Sequence, residues 1–309
     1  MKIVHISDLH IDAEYKRTNF IKSIQLFEYA ADIGFDHMII SGDLTENAER
    51  SAFELTRETL KKFGLLNTGK LTLVTGNHDI FGGVHLAEDV LNFPKKCRTT
   101  NYKNKVSEFN YYFSEAFEKT RKYRDNVYPF IKEFDSLVII GINTIAEYSV
   151  FKNPFASNGA VNEEQLAAFE YLLENKNYED KLKIVIAHHH FCKDALEGSN
   201  ESTVWQKIER QTMKLRNKKR IIKLFAKHDI KLVLHGHLHE TTGYKRKGIK
   251  FLNAGGSVLN SDPDEMKFNI INISNSSFQT ENVIIPFNRT SHSPSKINVP
   301  YKQQLISLN

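Results

Sequence analysis

Short apolar runs rich in β-branched residues recur along the chain, each closed off by polar or glycine positions. The clearest are residues 3–6, 38–40, 71–74, 137–142, 184–187 and 232–234, and they predict β-strands. Between several of them the apolar period changes to that of a helix. Residues 20–33 place Ile21, Ile24, Phe27, Ala30 and Ala31 on one face, and residues 51–63 do the same with Phe53, Leu55, Leu60 and Phe63. Residues 163–173 open on an acidic turn, as a helix start should. Strand alternating with helix predicts a layered α/β domain. FNIINIS followed by NVIIP predicts a β-hairpin around Asn275, Ser276 and Ser277, and from Asn288 onward the chain reads as a tail.

Two segments break this rhythm. Residues 95–130 are basic and aromatic and separate two strands without an obvious place in a sheet. Residues 193–220 run from a polar loop into a strongly basic helix ending RNKKR. The expected organisation is a domain over residues 1–287 carrying these two inserts, then a tail over 288–309.

Composition narrows the class only a little. Apolar residues make up 40% of the 309 and charged residues 26%, ordinary values for a soluble globular protein. The 21 Phe and 12 Tyr can fill a large core without staples. Cys97 and Cys192 form no C-x-x-C pair, so a disulfide framework or zinc knuckle is not expected. A net charge of +5 is too mild to imply nucleic acid by itself. MKIVHISDLH carries Asp8 almost at once and reads as a first strand rather than a signal peptide. No stretch approaches the roughly 18 apolar residues of a membrane span, and a cytoplasmic protein is expected.

The chemistry lies where the strands end. The first runs into Ser7-Asp8-Leu9-His10 and the second into Ser41-Gly42-Asp43. The third reaches Gly76-Asn77-His78-Asp79, the fifth His188-His189-His190, and the sixth Gly236-His237-Leu238-His239. In open α/β sheets ligands bind beyond the carboxyl ends of the strands, so these residues should converge on one edge. Carboxylate, imidazole and amide oxygen without thiolate form a donor set for Mn, Fe, Zn, Ni or Co. Asp8, His10, Asp43, Asn77, His188, His237 and His239 are too many for one closed structural ion but suit two ions sharing a carboxylate. Asp-x-His and Gly-Asp are weak alone, since Asp caps helices and Gly-Asp marks turns, while Gly-Asn-His-Asp is moderately specific. Five in this order, each at a strand end, are not a coincidence.

The order D-x-H, G-D, G-N-H-D, H and G-H-x-H, spanning residues 8–239, resembles the calcineurin-like metallophosphoesterase superfamily. The resemblance implies a four-layer α-β-β-α sandwich of two mixed sheets flanked by helices, with a dinuclear centre at one end. It implies that Asp8, His10, Asp43 and His239 hold one metal and that Asp43, bridging, holds the second with Asn77, His237 and a histidine of the 188–190 run. His188 directly follows the strand and is the expected ligand, with His189 the alternative. The cofactors would be two divalent or trivalent ions, Mn, Fe or Zn. His78 would protonate or stabilise the leaving oxygen, and Asp79 would orient His78 through its other ring nitrogen.

Departures from the pattern point to a branch. Purple acid phosphatases carry a Tyr three residues after the bridging Asp and lack the first-motif His; this chain has Glu46 and His10. Protein Ser/Thr phosphatases carry Asp-Arg-Gly after the second motif and Glu after Gly-Asn-His; this chain has GDLTENAER and Asp79. The stretch after His239 leaves little room for the DNA-capping domain of repair nucleases. The expected activity is hydrolysis of a small phosphodiester, a cyclic nucleotide or glycerophosphodiester. A nuclease, a nucleotide or lipid-linked pyrophosphatase and a phosphomonoesterase are the alternatives. Lys95, Lys96, Arg98, Lys103 and Lys105, interleaved with Tyr102, Phe109, Tyr111 and Tyr112, could hold a phosphate and stack on a base. A solvated helical insert with an aromatic underside is the preferred reading of that segment.

Overall fold

Alternation decides which side of each strand faces which layer. In Leu137–Gly141, Leu137 and Ile139 join one apolar cluster while Val138 and Ile140 join another on the opposite face. A strand buried on both faces needs a layer on each, and the chain supplies them. The computed structural model describes residues 1–84, 87–174, 176, 178–192, 213–239, 241–274, 277–289 and 302–304.

The first third contains β1 (Lys2–Ile6), α1 (Arg17–Ile33), β2 (His37–Ile40), α2 (Arg50–Lys62), β3 (Leu71–Leu73) and the one-turn α3 (His78–Phe81). Then come α4 (Ala87–Thr99), α5 (Tyr102–Tyr112), a 3₁₀ turn (Ser114–Phe117), β4 (Arg121–Lys122), β5 (Phe130–Glu133) and β6 (Leu137–Gly141). The remainder holds α6 (Glu163–Glu174), β7 (Leu182–Ile186), α7 (Lys218–Lys227), β8 (Leu232–His235), β9 (Gly243–Arg246) and β10 (Ile249–Asn253), then β11 (Glu265–Ser274), β12 (Ser277–Pro286) and β13 (Lys302–Gln304).

The strands form two mixed sheets. One has the order β13-β12-β11-β1-β2-β3, the other β4-β5-β6-β7-β8-β10-β9. In the first, β1, β2 and β3 are parallel. In the second, β6, β7, β8 and β10 are parallel. Between the sheets lie Ile3, Met38, Ile40, Ile139, Ile184, Ile186, Leu232 and Leu234, all essentially without solvent exposure. The outer face of the second sheet buries Val185, Val233 and Phe251 under Leu166 and Phe169 of α6 and Ile221, Ile222 and Phe225 of α7. This is the expected α/β architecture of two mixed sheets with flanking helices.

The structure modifies several expectations. The 95–130 segment is not outside the sheets: β4 and the start of β5 extend the second sheet at its edge. Its helical part has the aromatic underside, with Phe109 and Phe113 fully buried and Phe53 of α2 against them. Residues 193–212, most of the second insert, lie outside the described residues. Within the described part, the basic run opens α7 at Lys218 rather than closing a helix, because the apolar stripe Ile221, Ile222 and Phe225 lies beyond it. The hairpin forms as β11 and β12, with Asn275 and Ser276 outside the described residues. In the tail, Lys302–Gln304 pairs antiparallel with β12, so it contributes an edge strand; residues 290–301 and 305–309 lie outside the described residues. Among the described residues no helix is long and apolar enough to cross a membrane.

Candidate metal centre

The two parallel blocks bring all five strand-end motifs to one edge. Beyond β1 and β2 the chain segments remain zipped together. The amide of Asp8 donates to the Gly42 carbonyl (3.1 Å), that of His10 to the Asp43 carbonyl (3.0 Å), and that of Ile11 to the Leu44 carbonyl (2.9 Å). This register places the Asp8–His10 and Asp43 motifs side by side. Gly76 is required by close approach: a Cβ there would lie 2.0 Å from Asp43 Oδ1. A Cβ at Gly236 would lie 2.4 Å from Asp8 Oδ2.

The sequence-predicted residues meet. One group consists of Asp8, His10 and His239, another of Asp43, His188 and His237, with the donor atoms of each group within 4.8 Å of one another. His239 Nε2 lies 3.9 Å from Asp8 Oδ1, and His10 Nε2 lies 3.8 Å from Asp43 Oδ2. Asp43 Oδ2 also stands 3.3 Å from His188 Nε2, between the two groups. Asn77 Oδ1 is 3.1 Å from the same His188 nitrogen. Backbone amides complete the carboxylates: His237 N–H donates to Asp8 (3.0 Å) and His78 N–H to Asp43 Oδ1 (2.9 Å).

The three consecutive histidines have different surroundings. His188 Nδ1–H donates to the Ser41 carbonyl (2.9 Å), which leaves Nε2 facing Asp43 and Asn77. His189 uses both ring nitrogens elsewhere, Nδ1 with the Thr144 hydroxyl (2.9 Å) and Nε2 with the Ser157 carbonyl (3.0 Å). His190 Nδ1 faces Cys192 Sγ.

Two atoms test whether metals fit. His10 Nε2 and His237 Nε2 are buried and find no hydrogen-bond partner in the protein. A buried ring nitrogen without a partner costs stability unless something else occupies its lone pair, and a cation meets that need. Electrostatics agree. Burial drives His239 down to about 4 and His237 well below the ordinary imidazole value, keeping both in the neutral form that ligates. Burial works against charge on His188, but the Asp43 carboxylate beside it holds its pKa up at about 9. A cation between them would displace that proton.

Asp79 departs from expectation. Its carboxylate makes no hydrogen bond to the His78 ring; it accepts from the amides of Gly76 (2.8 Å), Thr45 (2.8 Å) and Leu44 (3.3 Å) and from the Thr45 hydroxyl. Burial, and then the nearby Asp43, push its pKa up to about 7. His78 instead turns Nδ1 toward the Glu46 carbonyl (3.2 Å), with the Glu46 carboxylate 3.6 Å away. Sequence reasoning registered Glu46 only as the absence of a tyrosine. The register between residues 8–11 and 43–46 was the signal that could have found it.

A profile of the calcineurin-like phosphoesterases matches residues 1–241. No curated protein matches the sequence. Among solved structures, the chain is similar to a dimetal phosphatase from Danio rerio, at 10% identity over 93% of this chain and 95% of the other, with a TM-score of 0.55. It is also similar to a phosphopantetheinyl hydrolase from Mycobacterium tuberculosis, at 13% identity over 82% and 88% of the two chains, with a TM-score of 0.49. Five motifs on one sheet edge, buried ring nitrogens without a hydrogen-bond partner and a profile covering most of the chain agree: the protein belongs to the calcineurin-like phosphoesterases and is a phosphoric ester hydrolase.

Proposed function

We propose that the protein hydrolyses a small phosphodiester at a dinuclear centre. Asp8, His10, Asp43 and His239 would hold one ion, and Asp43, Asn77, His188 and His237 the other. The observation that carries this reading is the position of Asp43 Oδ2, within 4 Å of both His10 Nε2 and His188 Nε2. The engagement of both His189 nitrogens supports His188 as the ligand. Bound ions of this kind supply a deprotonated water nucleophile at neutral pH and neutralise charge on the phosphoryl oxygens.

The protein's own residues supply the rest. His78 is 24% exposed, and its neighbour His239 36%, whereas Asp8, His10 and Asp43 are buried, so the His78 ring can meet a substrate. Its ring centroid lies 4.6 Å from that of His10, close enough to serve a leaving oxygen at the same centre. Asp79 acts on the scaffold, tying the loop that carries Asp43 to the loop that carries Asn77.

The phosphodiester preference rests on the sequence departures, Glu46 and Asp79. The basic insert lends little to a nuclease: Lys105 Nζ donates to the Ala48 carbonyl (2.7 Å) and Tyr102 Oη to the Ile145 carbonyl (2.7 Å), so both anchor the insert. The test is an activity screen with Mn²⁺ over bis-p-nitrophenyl phosphate, cyclic nucleotides, glycerophosphodiesters, nucleotide pyrophosphates and phosphomonoesters. Turnover of a diester that chelation abolishes and Mn²⁺ restores is expected. Preference for phosphomonoesters or pyrophosphates would refute the diester assignment.

A further inference from the structure

The side chain of Glu46 is 1% exposed, and each of its oxygens stands 2.7 Å from a basic side chain. Oε2 lies 2.7 Å from His10 Nδ1, and Oε1 accepts from Lys16 Nζ at 2.7 Å. The backbone is held as firmly. Its N–H donates to the Ile11 carbonyl (3.0 Å), and its carbonyl accepts from Gly83 N–H (2.8 Å) and faces His78 Nδ1. At Gly83 a Cβ would stand 2.5 Å from Glu46 Oε1, so the carboxylate occupies space that any larger residue would contest.

We propose that Glu46 is the positioning residue of His10: it fixes the imidazole with its proton on Nδ1 and its lone pair on Nε2, aimed at the metal centre. The inference rests on the dinuclear reading above. A neutral imidazole can ligate through one nitrogen only, and the partner of the other nitrogen decides which. For His10 that partner is a buried carboxylate, whose own charge needs a cation, and Lys16 provides it. Nε2, on the other side of the ring, makes no hydrogen bond in the protein and stands 3.8 Å from Asp43 Oδ2. The two sequence departures from the tyrosine-bearing branch, His10 gained and tyrosine replaced by Glu46, are therefore one physical unit, because the two side chains touch. His78, 3.6 Å from the same carboxylate, is held in the same arrangement.

The test uses the full chain, stripped with chelator and titrated with Zn²⁺ against a chromophoric competitor, together with ¹⁵N-histidine spectra. In the wild type, two ions bind and the His10 ring carries its proton on Nδ1. Glu46→Leu is expected to weaken one ion by about 10- to 100-fold, to leave the other nearly unchanged, and to lose the Nδ1–H signature. Glu46→Gln, whose amide oxygen can still accept from Nδ1–H, keeps the signature and loses less affinity. If the Leu variant, or Glu46→Ala where Leu does not fold, binds both ions as wild type does, Glu46 has no such role. A wild-type His10 protonated on Nε2 would overturn the inference equally. A wild type that takes up no pair of ions would instead overturn the dinuclear reading, and this inference with it.

Discussion

Asp79 Oδ1 accepts two hydrogen bonds from a single residue, from the amide of Thr45 at 2.8 Å and from its hydroxyl at 2.9 Å. With Gly76 N–H on the other oxygen, the carboxylate links the second and third motifs. Asp79→Ala would leave these donors buried and unpaired. The expected loss is roughly 3 kcal/mol of folding stability, read from urea unfolding, with reduced ion uptake because Asp43 and Asn77 are no longer held in register. Unchanged unfolding would show that the links are dispensable.

His78→Ala should lower kcat by about 100-fold or more while both ions stay bound. The loss should shrink for p-nitrophenolate, a leaving group that needs little protonation. Equal losses for good and poor leaving groups would remove His78 from the role of acid.

Gly76→Ala forces a methyl to within 2.2 Å of the Asp43 amide nitrogen as well as its carboxylate, so the chain carrying the proposed bridging residue must move. Metal analysis should find well under two ions per chain. A variant that retains two would show that the loop can yield without cost.

His37 lies at the start of β2, where Nδ1 faces the Gly69 carbonyl (2.8 Å) and Nε2 the Thr72 hydroxyl (2.7 Å). Burial, and then the nearby Lys132, lower its pKa to about 3. The unfolded chain takes up that proton near pH 6.5 and the folded one only near pH 3, so His37 favours folding above pH 6.5 and destabilises it progressively as the pH falls toward 3. Between pH 7 and pH 5 this one residue should remove about 2 kcal/mol. Urea midpoints at the two pH values should differ less in His37→Gln than in the wild type; equal differences would refute the assignment.

The six apolar runs were legible because each strand buries both faces, and five of them stop on the motif they present. Phe130–Glu133 escaped notice because Lys132 breaks its apolar pattern. That lysine is buried, with Nζ donating to the carbonyls of Thr68, Leu71 and Ala116. β9 and β10 were missed for a related reason: β9, at the sheet edge, reads Gly-Tyr-Lys-Arg with no apolar run, and Lys250 interrupts the run of β10. Sequence alone favoured His188 over His189 only because it directly follows the strand; the contacts that support that proposal come from Ser41, Thr144 and Ser157, far away in sequence. The role of Glu46 depends on Lys16 and Gly83 in the same way.

Asp8, His10, Asp43 and His237 share a further property: their φ angles are 56°, 47°, 48° and 73°, in the left-handed region that L-residues other than glycine avoid. Each such residue costs roughly 1 kcal/mol, which glycine would not incur. An evolutionary or laboratory search that rewarded heat resistance alone would therefore be drawn to these four positions. With the ligand roles proposed above, its most durable products would be inert, and heat-selected libraries of this protein should be sorted by ion uptake before melting temperature.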